Sequence, residues 1–213
     1  MTKRVVWILM VVLAILIGLY PSIYFLIDRN FGLLSSKSTE VLNNTIWNTG
    51  FYVHIILGGL ALLIGWLQFN SKIRIKRVKL HRLIGKVYIV SVFFSSVAGF
   101  YIALFASGGA ITSLGFICLA LTWFYTTMTA YISIRNKQVE KHQKMMIYSY
   151  AACFAAVTLR LWLPLLTAAL GDFITAYTIV AWLCWIPNMI VANQIVRRTF
   201  PKKYKLSPTK GFV

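Results

Sequence analysis

Six stretches of about twenty apolar residues constrain this chain more than any other feature: 5–27, 51–69, 83–106, 110–133, 145–168 and 173–196. About 20 residues of helix cross a hydrocarbon core roughly 30 Å thick. In that medium a backbone must satisfy its own N–H and C=O groups, and a helix does so within itself. The expectation is an all-α membrane protein, a bundle of six transmembrane helices. Ser107-Gly108-Gly109 and Leu170-Gly171-Asp172 are short enough to join antiparallel neighbours. Asp172 also suits a helix N-cap. The first stretch, preceded by Thr2-Lys3-Arg4, is too long for a signal-peptide core and is read as an uncleaved span. Charged residues are 12% of the chain, about half the roughly 25% of a soluble domain. That proportion excludes a soluble enzyme, and the 59% hydrophobic content excludes a disordered chain.

Four segments follow: a first helix over 1–27, an extracytoplasmic loop over 28–50, a five-helix membrane core over 51–196 and a basic tail over 197–213. The net charge of +18 would suggest nucleic acid in a soluble protein, but here its distribution reads as topology. Six crossings place both termini on one side. That side would carry Lys3 and Arg4, the run Lys72, Arg74, Lys76, Arg77, Lys79, Arg82 and Lys86, then Arg135, Lys137, Lys141 and Lys144, and the cations of the tail. The opposite side would carry only Arg29 and Lys37. The positive-inside rule then makes both termini cytoplasmic and the chain a multi-pass protein of the plasma (inner) membrane. No nucleic-acid partner is expected. The bilayer is the expected partner, with anionic lipid drawn to the basic run over 72–86.

Cys118, Cys153 and Cys184 all fall inside apolar stretches, without C-x-x-C spacing, and read as small buried side chains. The four acids, Asp28, Glu40, Glu140 and Asp172, lie in loops or at helix ends, so no relay of buried carboxylates is expected. The sequence carries no phosphate loop, nucleophile elbow or H-E-x-x-H, and so no catalytic signature.

The chemistry-bearing residues are His54, His81, His142 and Arg160. Helical spacing places His54, Gly58, Ala61, Gly65 and Gln68 on one face, and His81, Gly85, Tyr88, Val92, Ser95 and Gly99 on another. His142, Met145, Ser149, Cys153, Ala156 and Arg160 form a third, with Thr158 beside it. Most members are small or hydroxylic, the pattern of a helix packing seam. An ionised Arg facing lipid costs at least about 2.5–3.5 kcal/mol, so Arg160 demands an interior surface. Counted from the start of its apolar stretch, Arg160 is expected in the outer third of the core and His54 about 5 Å inside the outer boundary. Together with Tyr88 and Thr158 they form the expected ligand pocket. It would suit a carboxylate, a quinone oxygen or a haem propionate. His81 and His142 are expected just before their helices, near the inner boundary, with Arg82 and Met145. There they would be headgroup contacts, or ligands of one haem iron or another metal. Three histidines cannot supply two bis-histidine haems.

At these residues the chain resembles a family of predicted bacterial membrane proteins known as domain of unknown function 2306. The likeness covers about residues 50–165. It rests on His54 before a Gly-rich helix, Arg74, the run His81-Arg82-Leu83-Ile84-Gly85-Lys86-Val87-Tyr88, His142 with Met145-Met146, and Thr158-Leu159-Arg160. The family favours a bulky aromatic near Lys144, which this chain lacks. The resemblance implies a polytopic bundle with functional His and Arg positions and no particular activity. The leading functional expectation is a membrane protein that binds a small molecule or cofactor, haem or quinone, with a redox-linked role. The alternatives are a transporter, or a non-catalytic assembly protein.

Overall fold

Each apolar stretch falls largely within a helix long enough to cross a bilayer, though the third helix ends at Ala103, short of 106. The computed structural model describes residues 3–26 and 32–201. Its six spans are Arg4–Leu26, Thr45–Phe69, Val78–Ala103, Gly109–Arg135, Val139–Leu170 and Phe173–Thr199. All regular structure among the described residues is helical. Asp28, Arg29 and the tail cations from Lys202 onward lie outside them.

Several helices outrun their apolar stretches, because backbone hydrogen bonding does not stop where hydropathy falls. The second span starts at Thr45 rather than 51. The Asn44 side chain caps it, accepting from Ile46 N and Trp47 N at 3.0 Å each. The third and fifth spans begin at Val78 and Val139, among polar and basic residues. This overturns the placement of His81 and His142 ahead of their helices. Each is the fourth residue of its helix, and their amides bond back to Arg77 O and Gln138 O at 3.0 Å.

Consecutive spans pack side by side, and the second and fourth also reach non-neighbours: the second touches the fifth, and the fourth touches the sixth. The first span meets both the second and the fifth. Gly18 and Gly59 let the first and second spans cross closely; a Cβ on Gly59 would sit 2.7 Å from the Gly18 carbonyl oxygen. Large apolar side chains such as Leu16, Phe94, Val97 and Leu165 face outward. Inside lie small and hydroxylic residues, as expected where helix association depends on close approach rather than on hydrophobicity. At the centre the Tyr88 hydroxyl meets Ser149 Oγ at 2.8 Å, and Ser149 Oγ meets Thr127 Oγ1 at 2.6 Å. Every member of this chain is buried, so hydrogen bonding offsets the cost of removing it from water.

Two spans are interrupted near their middles. The fifth breaks at Phe154, and the sixth at Cys184 and Trp185, just before Pro187. Side chains cover the break in the sixth. Thr158 Oγ1 donates to Cys184 O, and Asn188 Nδ2 reaches Cys184 O at 3.0 Å and Ala151 O at 3.3 Å.

Candidate functional site

A cavity of about 710 Å³ occupies the half of the bundle nearest the segment that joins the first two spans. Its size falls in the range of roughly 300–1,000 Å³ typical of small-molecule sites. All six spans line it. The walls are mostly aliphatic and aromatic, with Tyr20, Tyr24, Phe51 and Tyr177 prominent. Among the described residues, the charged side chains in its lining are Lys37 and Arg160, both cations.

Arg160 enters from the fifth span. Its Nη1 donates to Ala156 O at 3.0 Å, and its guanidinium carbon sits 4.4 Å from the centre of the Tyr20 ring. The Nε–H is buried and meets no acceptor among the described residues. A cation over an aromatic face is a favourable but partial replacement for water. Pro164 stands one turn further along the same helix. Lacking an N–H, it cannot bond the Arg160 carbonyl, which loosens the helix where the guanidinium leaves it. Asp172 does not neutralise Arg160. Its carboxylate caps the sixth span instead, accepting from Thr175 N at 2.7 Å and Ile174 N at 3.4 Å. Hydrogen bonding from Thr175, its side chain first and its backbone second, holds the Asp172 carboxyl below the usual range.

His54 enters from the second span. Its Nδ1 lies 2.9 Å from Ser95 O and 3.3 Å from Ser95 Oγ, while Ser95 Oγ donates to His54 O at 2.9 Å. A carbonyl only accepts, so this contact assigns the proton to Nδ1 and leaves Nε2 as the free position of the ring. Gly99 makes room for the imidazole; a Cβ there would stand 2.7 Å from Nδ1. His54 lies about 14 Å along its helix from Thr45, and Arg160 about 15 Å from Leu170, at 1.5 Å per residue. The two share one level and one cavity. Both residues stand further from their helix ends than from the ends of their apolar stretches, because both helices extend beyond those stretches.

The other expected pocket residues point elsewhere. Tyr88 is fully buried in the hydroxyl chain with Ser149. Thr158 faces the break in the sixth span. Neither lines the cavity.

At the opposite, basic end, His142 Nδ1 lies 2.9 Å from Ala130 O, and His81 Nδ1 is buried without a hydrogen-bond partner among the described residues. His142, Arg74 and Arg82 all stand close enough to His81 to act on it electrostatically. Arg82 is exposed, and Met145 packs on the apolar core. Among the described residues no three His, Cys, Asp or Glu side chains gather as a metal site.

Three cavity residues escaped the sequence reading. Tyr20 and Tyr24 are one helical turn apart, a spacing that marks a shared face. Lys37 was visible as one of two cations on its side of the membrane, but only as a topology mark. Its Nζ donates to Phe105 O at 2.5 Å and Ser107 Oγ at 3.2 Å. Burial pushes this ammonium down to about 8.

A family model described as "Predicted membrane protein (DUF2306)" matches residues 51–196, further than the 50–165 of the resemblance and including most of the sixth span. No curated protein and no solved structure matches the chain. With that match covering well over half its length, this six-span chain belongs to the DUF2306 family of predicted membrane proteins.

Proposed function

We propose that this protein binds a small molecule within the membrane, in the cavity that His54 and Arg160 share. One observation carries the reading. Arg160 is buried against Tyr20 with an unspent Nε–H, and no carboxylate among the described residues pairs with it. An uncompensated buried cation is costly, and a bound acceptor would offset that cost. Trp47 adds a second buried N–H that meets no acceptor among the described residues, in the same wall. Haem propionates and quinone oxygens both supply acceptors of this kind. The Nδ1–H of His54 on a backbone carbonyl also matches the arrangement that orients a metal-binding imidazole, which keeps a haem with one axial histidine among the ligands to test.

The test is to purify the protein in mild detergent, record its visible spectrum and analyse its organic extract by mass spectrometry, beside Arg160→Leu. A bound molecule present in the wild type and depleted in the variant supports the reading. A Soret band identifies haem, and a prenylated ring identifies quinone. Identical extracts from the two proteins count against the site.

The breaks at Phe154 and Cys184 favour transport as a second reading, since interrupted helices near the midplane are a recurring transporter feature. Proteoliposomes that move a labelled cavity ligand across the bilayer would support it, and binding without flux would reject it.

A further inference from the structure

The cavity changes character along its length. Lys37 and Ser35 stand at the end nearest the first connecting segment, and Arg160 lies further in. Beyond Arg160 the lining is mostly apolar, with Gly58, Leu119, Ala152, Cys153 and Ala156; Ser96 turns its hydroxyl back onto Val92 O, and Trp123 adds its ring and one buried N–H. From Arg160 to Ala152 the fifth span runs about 12 Å at 1.5 Å per residue. The long axis therefore leads from a cationic end to an apolar one.

We propose that the cavity takes a single-chain anionic amphiphile, a carboxylate or phosphate head at the Lys37–Arg160 end with its alkyl chain in the apolar part. This rests on the reading of the cavity as a ligand site and names the class of its occupant. The Arg160 Nε–H is buried and Lys37 is half-buried, and a neutral ligand would leave both cations without counter-charge. An anion would supply it. Among the described residues Lys37 spends two of its three N–H donors, on Phe105 and Ser107. Arg160 has its buried Nε–H to give. Among the described residues the lining offers an anion no opposing carboxylate. The lipid phase around the protein is a ready source of such amphiphiles, as fatty acids or as lysophospholipids.

The experiment uses the full chain in phosphatidylcholine nanodiscs, with empty nanodiscs as reference. Labelled oleate is the probe, and methyl oleate, lysophosphatidate and a short-chain ubiquinone are the competitors. Saturable oleate binding that methyl oleate does not displace is the expected result, and it needs no variant. Displacement by lysophosphatidate would show that a phosphate head is accepted as well, whereas its failure would restrict the head to carboxylate. Lys37→Gln and Arg160→Gln should each weaken binding about ten- to a hundredfold, the loss of one charge-assisted bond. Methyl oleate competing as well as oleate would overturn the proposal, as would folded variants that bind like the wild type. If labelled ubiquinone binds in an Arg160-dependent way and oleate does not, this proposal falls while the broader ligand site stands. If no probe depends on Arg160, both fall.

Discussion

At the residue scale, the site depends on how two cations and one imidazole are held. Gly99 gives His54 its place, so Gly99→Ala would push a methyl group into Nδ1 at 2.7 Å. The ring must then rotate or the third span must shift. We expect ligand binding to fall about tenfold or more while the protein still purifies as a folded monodisperse species; retained affinity in a binding assay would contradict this role for Gly99. Lys37 supplies a pH signature. Its ammonium loses its proton near pH 8, well below the ordinary lysine value of 10.5. Among the described residues its hydrogen-bond partners are the Phe105 carbonyl and the Ser107 hydroxyl, neither of them acidic. Affinity for an anionic ligand should therefore decline as pH rises through about 8, where an exposed lysine would still be charged. In Lys37→Gln that decline should vanish. The same shift acts on stability with the opposite slope. The unfolded chain holds this proton more tightly, so between about 8 and 10.5 raising the pH removes a penalty on the folded state.

At the element scale, helix ends and helix crossings carry the fold. Asn44 accepts two amide bonds at the start of the second span. Asn44→Ala should cost about 1 kcal/mol, read as a lower thermal midpoint in detergent. Asp172 does the same for the sixth span, and its depressed carboxyl gives the sign. Its contribution is complete above the unfolded value of 3.8 and disappears as pH falls through the lower folded value. Gly59 and Gly85 differ sharply. A Cβ on Gly59 meets backbone at 2.7 Å, whereas one on Gly85 finds Gln68 at an ordinary 3.5 Å. Gly59→Ala should destabilise the protein by about 1–3 kcal/mol and Gly85→Ala should be nearly neutral, a contrast that parallel thermal melts would reveal. Spacing puts Gly85 in a small-residue stripe and leaves Gly59 out of one, whereas the neighbouring helix crowds Gly59 and spares Gly85.

At the scale of the whole molecule, the described bundle has one end rich in cations and another bearing the first connecting segment and the cavity. The charge distribution predicts that the basic end faces the cytoplasm. Single cysteines at Ser36 and at Lys79, in a background without native cysteines, would be labelled from opposite sides by a membrane-impermeant maleimide. Labelling of Lys79→Cys from outside intact cells would invert the topology and place the cavity on the cytoplasmic side.

The sequence alone determined the class, the number of spans and the candidate residues. Those follow from local quantities: an apolar stretch long enough for hydrocarbon, and ionisable groups too costly to face lipid. His54 and Arg160 were legible for that reason, since a charged or titratable side chain in such a stretch needs an interior surface. Helix ends were less legible, because a cap such as Asn44 or a polar first turn such as that at Val139 carries no hydropathy signal. Tertiary structure decided the rest. It turned Tyr88 and Thr158 away from the cavity and brought Tyr20 and Lys37 to it. The rotation and tilt of each helix about its neighbours fix those contacts, and close approaches such as Gly18 to Gly59 set them between residues far apart in the chain.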